Sequence, residues 1–258
     1  MEEPSKKHKG SSSRSQGHSE AQDIPIPSSI SSSSLFSSEE KCIRYTNLFS
    51  SRSIIDPKFI DMDLFSDESF ECIQAFQNSN LIPFMSLKLP VYSELVKAFY
   101  SNLEIQESAL DDDWKFDFSV HDARRLVCTN QADMTGRLLA GSLALESRIL
   151  HYLIVCILLP RSSNLAQVYE EDLIVMWAFH TGRQIDWAMC KALRLNAPLP
   201  YPHLVTLFLQ HFNIPLDYEP YVPIKRSFLI GAAVVASFGY CKERDGSWVK
   251  KGAQPNDD

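Results

Sequence analysis

Residues 92–103 read YSELVKAFYSNL, with apolar side chains at Leu95, Val96, Phe99, Tyr100 and Leu103. That i, i+1, i+4, i+5, i+8 spacing lines one face of a helix. The same period recurs downstream. Pro202 occupies the first turn of a helix over 202–212 that gathers Leu204, Val205, Phe208, Leu209 and Phe212 on one side. Glu170, Glu171 and Asp172 place acids at the first turn of a helix running to Thr181, with Gly182 at the left-handed position beyond its end. These stretches predict a mainly α fold.

Working outward, Ser66-Asp67-Glu68 reads as a helix start for Phe70, Ile73 and Phe76. Pro83 and Pro90 read as punctuation of an extended link. Asp111-Asp112-Asp113 reads as a solvated break that divides two lobes, 41–110 and 114–252. The stretch 134–159 reads as one long or two shorter helices, with Gly136 and Gly141 weakening its start. A further helical stretch covers 185–195. Residues 228–238 fit a buried helix or a buried strand equally well. Asp245-Gly246, between Cys241-Lys242 and Trp248-Val249, carries the signature of a type I′ turn, so the chain should close with a small C-terminal β-hairpin.

The ends differ in composition. Residues 1–38 hold fourteen serines and few apolar side chains, too few to offset the entropy of ordering, so 1–40 read as a disordered Ser-rich tail and 253–258 as a second one. ILHYLIVCILL (149–159) and FLIGAAVVASFGY (228–240) fall short of the about 20 apolar residues that span a bilayer, so both read as buried core and no membrane partner is expected. Residues 1–20 lack the apolar run of a secretory signal. The expected location is nuclear or cytoplasmic, with Lys6-Lys7-His8-Lys9 as a short basic cluster in the tail. The six cysteines, Cys42, Cys72, Cys128, Cys156, Cys190 and Cys241, are dispersed without a C-x-x-C pair, which suits reduced thiols in a globular protein.

A formal net charge of −7 argues against a dedicated polyanion binder. Charge is nonetheless uneven: over 225–251, Lys225, Arg226, Lys242, Arg244, Lys250 and Lys251 face only Glu243 and Asp245. With Tyr240 and Trp248 beside them, these eight cations and rings are the candidate contacts to phosphates and bases of RNA or DNA. The alternative is a solvated hairpin whose lysines keep other strand edges away. Gly136–Ser142 has phosphate-loop spacing without the required lysine. None of the seven histidines pairs at metal-ligand spacing, although His203 and His211 lie two turns apart on one helix. The acids cluster in runs, with no pattern for holding two metal ions. No catalytic residue, metal, cofactor or small-molecule substrate is expected, and the protein reads as a non-enzyme.

The block at 92–103 also resembles the Y-x-x-L-V-x-x-F-Y-x-N-L helix of plant repeat-derived proteins. With Ala140–Pro160, 172–187 (DLIVMWAFHTGRQIDW), Ala197–Phe212 and Pro223–Gly246, the stretch from Lys41 to Gly252 resembles the plant transposon protein domain abundant in legume genomes. The first block is similar as well to the first open reading frame of Athila-type retrotransposons, which occupies the gag position. The resemblance implies a transposable-element-derived, non-enzymatic protein, gag-like in role, that forms homo-oligomers and touches nucleic acid weakly. It carries no active-site residues. Relative to the family, the connections after Leu103 and after Ala188 are short, so a shortened copy without selected activity is the competing expectation. A metal-dependent transposase or nuclease is the third.

Overall fold

The computed structural model describes residues 35–67, 70–104, 118–129, 136–183 and 198–252. It is mainly helical. Helix α1 (Glu39–Arg44) starts where the Ser38 hydroxyl accepts from the Lys41 amide, and acidic Glu39 and Glu40 complement the positive end of the helix. It runs on into a π turn, Tyr45–Phe49. A two-residue strand β1 (Phe59–Ile60) leads into α2 (Met62–Asp67), α3 (Glu71–Asn78), α4 (Ile82–Met85) and α5 (Ser93–Asn102). Then come α6 (Val120–Val127), α7 (Leu145–Leu153), α8 (Glu170–Thr181) and α9 (Pro202–His211). Strand β2 (Leu229–Ile230), helix α10 (Ala232–Ser237) and the hairpin β3 (Tyr240–Lys242) and β4 (Trp248–Lys250) complete the order.

Helix α7 and its continuation form the centre. Leu153, Ile154 and Leu158 are fully buried, and Ile154–Leu158 is a π turn. A segment apolar on every side has no solvent face to offer, so it sits inside the bundle. Each such aliphatic side chain contributes roughly 1.5–3 kcal/mol through burial. Around it pack Phe76 of α3, Val127 of α6, and Leu173 and Met176 of α8. Phe76 meets Phe179 edge-on at 4.7 Å. A second, smaller cluster joins Phe49, Val91, Val96, Tyr100, Leu199 and Val205. Both clusters draw residues from either side of 111–113.

The sequence expectations hold for α5, for α8 with Gly182 at φ 67°, for α9 with Pro202 in its first turn, and for the terminal hairpin. Several details differ. Ser66 and Asp67 end α2 rather than start a helix, and α3 begins only after Phe70. Pro83 lies in the first turn of α4 and not in an extended link, because a first-turn proline has no backbone bond to lose. The 134–159 stretch resolves into a 3-10 turn (Ala140–Ser142), α7 and the π turn. The ambiguous stretch from 228 is strand first and helix after. β2 pairs in parallel with β1, Phe59 opposite Leu229 and Ile60 opposite Ile230.

The hairpin turn is not type I′. Gly246 alone has a positive φ, 93°, and its amide bonds to the Glu243 carbonyl, while the Glu243 amide bonds to Ser247. That is a three-residue loop, Arg244-Asp245-Gly246, with glycine at the bulge position. Residues 1–34, 253–258, Asp111–Asp113 and 185–195 lie outside the described residues, whereas Glu39 and Glu40, expected in the tail, open α1 because the Ser38 hydroxyl caps it.

Candidate functional site

The extended chain from Arg52 to Lys58 is the place where sites converge. Ile55 donates to the Leu199 carbonyl and Leu199 to the Ser53 carbonyl, which fixes this segment beside the entry to α9. On the far side β1 continues into the pair with β2. Three cavities border it. The smallest, about 30 Å³, is lined by Asp56, Lys58, Cys156, Tyr201 and His203. A second, about 460 Å³, lies against Arg161, Ser162, Ser163, Asn164 and Tyr169. The third, about 300 Å³, is lined by Arg52, Lys97, Lys225 and Asp56, with Val91 and Phe228 among its apolar walls.

The Cys156–His203 corner has the residue types of a hydrolase and not its electrostatics. Burial pushes the Cys156 thiol up to about 11; the Tyr152 hydroxyl, Lys58 and Arg161 only partly oppose it. The sulfur is therefore a thiol at neutral pH, whereas a nucleophile needs the thiolate. His203 directs Nδ1 at the Leu87 carbonyl, 2.8 Å away, so Nδ1 carries the proton and Nε2 is an acceptor with no partner among the described residues. Burial lowers the basicity of this ring, although the Leu87 bond opposes it. The space they share holds about one water molecule. His211, two turns along α9, is exposed and does not join His203.

A second buried constellation is ionic. Asp172, in the first turn of α8, accepts from Arg161 Nη1 at 2.9 and 2.8 Å and from the Tyr169 amide at 2.9 Å; His151 Nε2 lies 3.4 Å away. Burial raises the carboxyl, but the contacts with His151, the Tyr169 amide and Arg161 outweigh it and hold Asp172 below the usual carboxylate range. This group ties the loop after the π turn to the start of α8. Among the described residues, no three His, Cys, Asp or Glu side chains converge to hold a metal ion.

The candidate nucleic-acid residues fall in two neighbourhoods. In the hairpin, Tyr240 pairs with Lys250 and Lys242 with Trp248, so all four share one face. Tyr240 and Trp248 are half-buried against the main core; Lys242, Arg244 and Lys250 are exposed. Lys251 folds back so that its ammonium donates to the Ala236 carbonyl at the end of α10. Lys225 and Arg226 stand instead at the start of the turn before β2. Lys225 Nζ is 5.5 Å and Lys58 Nζ 5.8 Å from the centre of the Phe228 ring. Lys58 was invisible to charge counting along the chain because its neighbours in sequence are apolar.

The stripe on α9 is covered only in part. Val205 is buried, but Phe208 is 38% and Phe212 69% exposed, and Tyr218 and Tyr221 beyond the helix are 73% and 59% exposed. The buried side of α9 carries Pro202, His203, Val205 and Thr206. Leu204 and Leu209 are half-buried, Leu209 against the second cluster, and Leu207 and Phe208 are exposed at the edge, with Phe208 stacked on Phe99 and, beyond the helix, Tyr221 packed on Tyr92.

No protein-family model, curated protein or solved structure matches the chain. Among the described residues no helix is long and apolar enough to cross a membrane.

Proposed function

We propose that this is a transposable-element-derived plant protein that works without catalysis, in a gag-like role, through self-association of its helical body. The resemblance over Lys41–Gly252 supports the origin. The observation that carries the role is the exposed apolar face formed by α9 and the loop to Ile224. Phe212, Tyr218 and Tyr221 are each more than half exposed there, and exposed apolar surface of this kind marks sites of protein–protein contact.

The occupant is a second copy of the chain. From Leu207 to Ile224 the only acids are Asp217 and Glu219, and Glu219 is buried, so two copies of the face meet with little like-charge repulsion. A patch meeting itself about a two-fold axis closes as a dimer. Contact with RNA or DNA is the second element of the reading and rests on the exposed cations Lys242, Arg244 and Lys250. The Tyr240 and Trp248 rings pack inward and serve the core.

Light scattering on the full chain over a range of concentrations tests the reading. The expected result is a discrete oligomer that grows with concentration. Phe212→Glu, at an exposed position, should return the protein to a monomer with unchanged circular dichroism. A wild-type chain that stays monomeric throughout overturns it.

A further inference from the structure

The 300 Å³ cleft beside the Arg52–Lys58 segment carries an inference that is independent of self-association. Its cationic side chains come from three separate places in the sequence: Arg52 after the π turn, Lys97 on α5, and Lys225 ahead of β2. The chain as a whole has a net charge of −7, so three cations around one cleft against a single lining acid, Asp56, run counter to the composition. Lys97 also pairs with Glu94 at 2.9 Å; Lys225 is exposed and forms no ion pair with a described carboxylate. The walls between the charges are apolar: Ile54, Val91, Val222 and Phe228. A fourth cation, Lys58, stands within 5.8 Å of the Phe228 ring and adds to the same field.

We infer that this cleft binds a dianionic phosphate group. With Lys58 the four cations exceed Asp56 and Glu94, which holds Lys97, by two charges, and a carboxylate would balance only one of them. A phosphomonoester carries about −1.5 to −2 at neutral pH and three strong acceptor oxygens, which matches a planar guanidinium and two ammonium groups. The volume lies at the small end of the range for ligand clefts, about 300–1,000 Å³, and suits a phosphate with a compact organic body against the apolar walls.

Calorimetric titration of the full chain with inorganic phosphate, adenosine monophosphate and adenosine tests the assignment. Both phosphates should bind at millimolar concentration or below, and adenosine should not. Tighter binding of the monophosphate than of inorganic phosphate identifies an organic ester as the source; equal binding identifies free phosphate. Lys225→Ala should weaken both about tenfold, and Arg125→Ala, at an exposed position on α6, should leave them unchanged. Phe212→Glu should bind as the wild type does, which separates this site from the apolar face. Failure of both phosphates to bind, or wild-type affinity in Lys225→Ala, overturns the assignment.

Discussion

Replacing Asp172 by Asn tests whether the ionic group between the π turn and α8 holds the core in register. The side chain is almost wholly buried, at 1% exposure, while Arg161 retains 15%. Asparagine keeps the shape and one acceptor, so the Tyr169 amide can still be satisfied, but the guanidinium loses its counter-charge. Breaking a buried pair in this way costs about 3–5 kcal/mol. Arg161 can still reach solvent at its edge, which favours the lower end, about 3 kcal/mol.

The pH dependence supplies a second, sharper readout. Asp172 is held below its ordinary value of 3.8, so its contribution is fully present above that value and is lost as pH falls through the lower folded value. The gap between wild type and Asp172→Asn should therefore be constant from pH 7 to about 5 and close in stronger acid. Urea unfolding of the full chain, followed by both fluorescence and circular dichroism, measures it. A loss below about 1 kcal/mol at pH 7, or a gap that does not shrink in acid, would refute the reasoning.

Two further predictions concern groups with the opposite imbalance. Glu146 is pushed above its ordinary 4.5 by burial, against the bonds it accepts from Cys72 and from the amides of Cys72 and Glu71, so its ionisation costs stability as pH rises. Glu146→Gln keeps an acceptor for the open start of α3 and should remove that cost: its melting temperature should exceed the wild type's at pH 8 and converge with it at pH 4. His203 is buried neutral, so the unfolded chain takes up a proton below about 6.5 that the folded one refuses, and stability falls as pH drops through that value. His203→Gln, which can still donate to the Leu87 carbonyl, should flatten the melting-temperature profile between pH 7 and 5; an unchanged slope there would count against the assignment.

What the sequence made legible follows from the range over which each signal acts. The period of Leu95, Val96, Phe99 and Tyr100, and the acids and glycine that bracket α8, are local instructions, and α5 and α8 follow them. The parallel pairing of Phe59–Ile60 with Leu229–Ile230 joins segments 170 residues apart through two residues each, and no local pattern encodes it. The same distance hides the charged cleft, because Arg52, Lys97 and Lys225 become neighbours only once that pairing and the Val91–Val222 bridge are formed. The α9 stripe shows a limit of a different kind. Amphipathic spacing reports that Phe208 and Phe212 share a side of the helix; it does not report whether that side is covered within the same chain. Here α9 buries its His203, Val205 and Thr206 side inward and leaves the aromatic side outward. Phe208 is partly covered by Phe99 within the chain, whereas Phe212 stays 69% exposed, and it is Phe212, with Tyr218 and Tyr221, that the proposed second copy would cover.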